Sequence, residues 1–205
     1  MPFSRHRAHS RGNHLHTTHK QNMFATAICP SDAAIHVRRF PATSRILHWI
    51  AAALVLVTWP LGLLIKFTAD EVRLDFYLIH ENLGFLLLLF MLLRVGNKLL
   101  AKSPPAEGPA IERLAASAVH GLLYLVLLVV PVSGFLATNA HGFPLHWFGV
   151  VPIWSPIGKA PEIAWTLSTV HSWSSWLLLA LFAMHLGAVL LHHVIKRDNT
   201  LYRIL

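Results

Sequence analysis

The chain has 205 residues, 55% of them apolar and only 13% charged, with seventeen Lys and Arg against nine Asp and Glu. That balance excludes an ordinary soluble domain, which carries more charge and shorter apolar stretches. The single cysteine, Cys29, excludes an internal disulfide and a thiolate-held iron–sulfur cluster, and no Gly-rich nucleotide loop is apparent.

Residues 1–40 are polar, basic and rich in histidine (His6, His9, His14, His16, His19, His36). No apolar h-region follows these charges, so the segment reads as a disordered or partly untranslated cytoplasmic leader rather than a secretory signal, with a metal-binding tail as the alternative and Met23 as an alternative start. Residues 41–205 then form one domain. Its apolar runs, 46–65, 76–93, 114–137 and 170–195, approach or exceed the ~20 residues that cross a ~30 Å hydrocarbon core. They predict four helices at about 44–66, 75–98, 111–137 and 163–196. Thr43 or Ser44 is the expected cap of the first, after Pro41, and Pro60 predicts a kink near its outer third. The short acidic connection 66–75 makes helices one and two antiparallel neighbours. Pro104, Pro105, Gly108 and Pro109 break the chain between helices two and three. The long loop 138–169 carries Trp147, Phe148, Trp154 and Trp165, which suit a membrane interface. No internal repeat stands out.

The positive charge is a topology signal. Fourteen of the seventeen basic residues lie before the first apolar run, between the second and third, or after the fourth. Only Lys66, Arg73 and Lys159 lie on the other side. The bias places both termini in the cytoplasm, as N-in/C-in, and argues against nucleic acid as a partner.

Four histidines fall inside or at the edge of these runs: His48, His80, His171 and His185. Ionisable groups in membrane segments are costly and mark function. His171 and His185 are fourteen residues apart, which at ~1.5 Å and ~100° per residue puts them ~21 Å apart and ~40° off a shared face. Two redox centres stacked across the bilayer need that arrangement, and a b-type haem takes two axial nitrogens from facing helices. The fold class is therefore all-α, an integral membrane four-helix bundle binding two haem b groups, with the four histidines on the haem iron. Helix direction pairs His80 with His171 toward the outside and His48 with His185 toward the inside. Gly84 and Ser175, one turn beyond His80 and His171, leave room for a macrocycle, as do Ala52 and Ala188 beside His48 and His185. His192 competes with His185, being ~20° away on the same stripe and nearer the inner surface. His120, followed by bulky Tyr124, reads as a core or propionate-side hydrogen-bonder.

Several stretches carry a resemblance. They are Arg45-Ile46-Leu47-His48-Trp49, Ile79-His80 to Leu93-Arg94, His120-Gly121-Leu122-Leu123-Tyr124 to Pro131 and Gly134, and His185 through His192-His193 to Asp198-Asn199-Thr200-Leu201-Tyr202-Arg203. In these the chain resembles the bacterial cytochrome b561 family of four-helix, di-haem inner-membrane proteins. The resemblance covers about residues 40–205. It implies ligands on helices one, two and four, with two on helix four, and so favours His185 over His192.

The resemblance also implies electron transfer between a quinone such as ubiquinone and a donor or acceptor at the periplasmic face. One family member oxidises superoxide while reducing ubiquinone, which makes superoxide:quinone oxidoreduction a concrete expectation. The alternative is a non-catalytic haem subunit docked to a periplasmic redox protein, since cytochrome b subunits that anchor larger enzymes share the pattern. Arg45, His192 and Lys196 are the expected quinone or propionate contacts, because a quinone headgroup needs donors and a proton route. The expected setting is the lipid of a bacterial inner membrane.

Overall fold

In a computed structural model, the described residues are 37–102, 104–105 and 108–205, and residues 37–205 form one compact unit. The amino-terminal leader falls outside the described residues as far as residue 36. Four helices run in chain order: α1, Ala42–Leu64; α2, Asp70–Leu100; α3, Ala110–His141; and α4, Pro161–Leu190. A 3₁₀ turn at Ile65–Phe67 extends α1, and a π-helical turn at Leu191–Lys196 extends α4. All four are long and apolar enough to cross a membrane. α2 and α3, with 31 and 32 residues, measure about 46–48 Å at ~1.5 Å per residue and so outreach a ~30 Å core.

Each helix contributes to one core, built from Ala51 and Val55 of α1, Leu87 and Met91 of α2, Val126 of α3, and Leu178 and Leu181 of α4. The outward faces are apolar as well. Leu56, Leu93, Leu125 and Leu190 are each more than half exposed, the pattern of helices whose solvent is lipid. The main helix contacts are α3 with α4, α1 with α2, and α2 with α3. Trp59 of α1 also reaches α4, donating its indole N–H to the Ser175 carbonyl at 3.0 Å and meeting Trp176 edge-on.

Four details differ from the sequence expectation. α1 starts at Ala42 behind Pro41 without a side-chain cap. Ser44, already inside the first turn, accepts a hydrogen bond from the Asn97 amide of α2 at 2.7 Å. α2 starts at Asp70, because Asp70 and Glu71 belong to its first turn, where acidic side chains complement the helix dipole. α3 continues past residue 137 to His141. Thr138 and Asn139 turn their polar atoms onto the Gly134 and Phe135 carbonyls, and Gly142 at φ +94° ends the helix. α4 starts two residues early, at Pro161, where a proline loses no helical hydrogen bond.

The loop before α4 carries a small hairpin, β1 (His146–Trp147) against β2 (Val151–Pro152). Its turn puts Phe148 at φ +50° and Gly149 at φ +72°. The buried Asn82 of α2 holds the unusual Phe148 backbone, accepting its N–H at 2.5 Å. Trp147 packs on Phe85 rather than lying free, whereas Phe148, Trp154 and Trp165 are exposed. This hairpin and the α1–α2 turn mark one end of the bundle, the hairpin end.

Both described chain ends meet at the opposite, terminal end. The Phe40 N–H donates to the Arg203 carbonyl at 2.9 Å, and Trp49 donates to the Ile204 carbonyl at 3.1 Å. Arg203 is buried, and its guanidinium donates to the carbonyls of Pro105 at 2.7 Å and Arg38 at 3.3 Å. Replacing it breaks a clasp of three segments. Arg203→Ala should destabilise the folded chain by about 1–3 kcal/mol, the range for lost charged hydrogen bonds. A lower thermal unfolding midpoint in detergent is the measurement; an unchanged midpoint would show that the clasp contributes nothing.

Candidate functional site

Two histidine clusters lie at different depths. At the hairpin end, His80 of α2 and His171 of α4 face each other with ring centroids 6.1 Å apart and planes at 84°. Toward the terminal end, His48 of α1 and His185 of α4 face each other at 6.3 Å and 64°. Two imidazoles sharing one metal ion each need a metal–nitrogen bond of about 2 Å plus the reach from nitrogen to ring centre, which brings the centroids to about 6 Å. Both pairs have that spacing, and the residue types are those that hold haem iron.

The hairpin-end pair is oriented by backbone. His80 Nδ1 lies 2.9 Å from the Thr58 carbonyl, and His171 Nδ1 lies 2.8 Å from the Val130 carbonyl. A carbonyl only accepts, so each Nδ1 carries the proton and each Nε2 keeps its lone pair. That tautomer is the one a metal needs, and such partners commonly fix a ligating imidazole. Beside the pair lies a cavity of about 310 Å³, lined among others by Thr58, Gly84, Ser175 and Leu178. Pockets of this size accommodate organic cofactors. Gly84 and Ser175, expected from sequence to leave such room, do line it.

The second pair is set differently. His120 of α3 comes within 5.2 Å of His185, nearer than His48 does. That separation is shorter than the centroid spacing of about 6 Å for two rings sharing one metal, which the His48–His185 distance matches. Arg94 of α2 acts electrostatically on His48, His120 and His185. One of its guanidinium nitrogens donates to the Tyr124 hydroxyl at 3.1 Å, while the other, Nη1, is buried without a protein partner. Arg45 Nε is likewise buried and unpartnered. These two donors fit the carboxylates of a haem.

At the terminal end, Lys196 pairs with Glu112 of α3 at 2.6 Å, and His192 Nε2 stands 4.0 Å from the same carboxylate. His192 Nδ1 meets Asp198 at 2.5 Å, and Asp198 also accepts the Thr200 N–H at 2.9 Å. Structure thus brings His192 and Lys196 together around Glu112, while Arg45 takes part in none of these contacts. The Asp198-Asn199-Thr200 stretch, noticed as a motif, is the hook that closes the π turn onto His192. Sequence reading missed Gly62 and Glu112, and it named Arg94, Gly134 and Asp198 only within motifs, with no role at a site. For the glycines, the available signal was a proline nearby in the same span (Pro60, Pro131).

Partial burial works against the charge of Asp198, but hydrogen bonds from Thr200 and His192 outweigh it and hold the carboxyl down at about 2. A depressed carboxyl stabilises above its unfolded pKa of 3.8, and the contribution disappears as pH falls through about 2. Asp198→Asn should therefore lower the thermal midpoint at neutral pH. The gap between variant and wild type should close between about pH 4 and pH 2. A gap that stays constant over that range would remove the carboxylate from the hook's stability.

A helical bundle with facing histidine pairs inside its spans defines a membrane-bound b-type cytochrome. The family model described as prokaryotic cytochrome b561 matches residues 39–205. The chain belongs to the prokaryotic cytochrome b561 family, and is a haem-binding electron-transport protein of the membrane. It is 32% identical to cytochrome b561 homolog 2 of Escherichia coli over 178 residues, covering 82% of this chain and 91% of that protein. It is 30% identical to cytochrome b561 homolog 1 of the same organism, covering 82% and 98%. A Yersinia pestis protein named probable superoxide oxidase CybB is 26% identical, covering 78% and 91%.

Proposed function

We propose that the chain binds two haem b groups, one between His80 and His171 and one between His48 and His185, and moves electrons between a quinone and a redox partner on the opposite face. The observation that carries this reading is the pair of facing histidine sets, each at iron-bridging separation, both drawing on α4. Haem, when bound, supplies reversible one-electron transfer. The chain's own residues orient the imidazoles, keep water from the core, and offer Arg45 and Arg94 to the carboxylates. The terminal end is assigned to the cytoplasm on the distribution of Lys and Arg.

The quinone is assigned to the terminal end, beside His192 and Lys196. His192, held at Nδ1 by Asp198, presents Nε2 toward Glu112 and can pass a proton to a quinone oxygen. At the hairpin end the proposed electron donor is superoxide, on the name of the Yersinia relative. Lys66 lines the cavity there and offers a cation to a small anion. Two superoxide anions would each lose one electron and leave as oxygen, and one quinone would take both electrons and two protons. A second reading, a haem subunit docked to a periplasmic redox protein, is favoured by the exposed Val150, Trp154 and Trp165 near that end.

Purified chain in proteoliposomes distinguishes them: superoxide-dependent quinone reduction without other protein supports the first reading, and its absence from fully haem-loaded chain favours the second. Haem analysis tests the sites. His171→Ala should lose mainly one haem and His48→Ala the other; loss of the same spectral component from both contradicts the pairing. His192→Ala should slow quinone turnover at least several-fold with both haems retained. Unchanged quinone kinetics in that variant would clear His192 of the role. Terminal reporter fusions active only in the periplasm would reverse the orientation.

A further inference from the structure

Gly62 of α1 and Gly134 of α3 each lie directly against a histidine ring at the hairpin end. A Cβ on Gly62 would lie 2.6 Å from His80 Cε1 and 3.0 Å from its Nδ1. A Cβ on Gly134 would lie 2.8 Å from His171 Nδ1 and 2.9 Å from its Cε1. Real Cβ atoms do not come so near, so each ring rests directly on helix backbone. The same two rings give their Nδ1 protons to the carbonyls of Thr58 and Val130. Each acceptor stands four residues before its glycine, one helical turn away, so carbonyl and glycine share a face.

One device is therefore used twice. An odd-numbered helix presents a carbonyl and, one turn on, a bare glycine, and the next helix in sequence lays its histidine across both. Among the described residues no carbonyl takes up the corresponding nitrogen of His48 or His185. The other glycines inside the spans, Gly84, Gly96, Gly121 and Gly187, have nothing within 4 Å of a would-be Cβ. Close approach to a histidine is thus confined to the hairpin-end pair, on two different helices.

We propose that Gly62 and Gly134 are positioning residues for the ligands of the hairpin-end haem. They let each imidazole lie close enough to the neighbouring helix to keep its Nδ1–H bonded to carbonyl, which fixes the tautomer and holds the two ring planes near perpendicular. A methyl group in either place pushes the ring off its carbonyl and turns its Nε2 away from the partner histidine. The proposal rests on the reading that His80 and His171 ligate haem.

The test uses the full-length holoprotein with Gly62→Ala and Gly134→Ala, and with Gly96→Ala as the control in open space. Haem per chain by pyridine haemochrome and the low-spin electron paramagnetic resonance spectrum are read together. Each cradle variant should fall from two haems per chain toward one, or keep two with a changed line shape in the hairpin-end component alone. Gly96→Ala should match wild type. Since alanine is the better helix former, a loss cannot come from helix propensity. Wild-type haem content and line shape in both cradle variants would overturn the proposal.

His80→Ala separates this from failure of the ligand reading, because two haems retained in that variant would remove His80 as a ligand, and the proposal with it. Should Gly62→Ala yield no folded chain, the double variant Gly62→Ala/His80→Ala decides. Recovery of folded protein with one haem supports a clash with the imidazole. Continued absence of folded protein, where His80→Ala alone folds, assigns Gly62 to helix packing and overturns its positioning role.

Discussion

A neutral imidazole inside a bilayer has one nitrogen that must donate and one that must accept, and no water to serve either. The hairpin end of this bundle is organised around that requirement. Backbone carbonyls of α1 and α3 take the donor nitrogens of His80 and His171, and the two ring centroids stand 6.1 Å apart. A carbonyl already committed to its own helix can accept this second bond because an oxygen has two lone pairs. The cost is steric, and bare glycine is what meets it. Close helix contact, ring orientation and ligand tautomer are thus one constraint rather than three.

The terminal end meets the problem by other means. Its histidines, His48, His120 and His185, crowd together from three helices near Arg94. Polar side chains replace backbone there: Glu112, Lys196, His192 and Asp198 form a chain of contacts, ionic between Lys196 and Glu112, where α3 begins and α4 unwinds into a π turn. Such turns insert an extra residue and recur at functional sites. This one swings His192 away from regular helical register and toward Asp198. Ion pairs of this kind fit a membrane edge, where water is close, and would be costly at mid-bilayer.

The four spans and the main histidines were legible in the sequence because both signals are one-dimensional. Apolar length reads directly as a membrane crossing, and the fourteen-residue gap between His171 and His185 reads directly as two depths on one helix. The ends of α2 and α3 were not legible. Asp70, Glu71, Thr138 and Asn139 look like loop residues, but their polar atoms are spent on helix termini or on carbonyls of the preceding turn. The glycine cradles were hidden for another reason. Gly62 is eighteen positions from His80 and Gly134 thirty-seven from His171, so only the interhelical register reveals the contact. His120 illustrates the opposite limit. Tyr124 one turn on argued against a ligand, and the 5.2 Å approach to His185 still places it in the same cluster.

The division between core and ends also bears on how relatives of this chain can carry different names. The match to the family spans residues 39–205, yet proteins 26–32% identical to it are named simply as cytochrome b561 homologs in two cases and as a probable superoxide oxidase in another. Spacing of histidines within helices is demanding: a shift of one residue rotates a side chain by ~100° and would separate a ligand pair. The ends face no such demand. The exposed Phe148, Trp154 and Trp165 lie outside both facing histidine pairs, and the hook at Asp198 holds His192 alone among the described histidines. On the proposed reading, the core therefore holds a two-depth electron path, while the two ends choose what delivers electrons to it and what removes them.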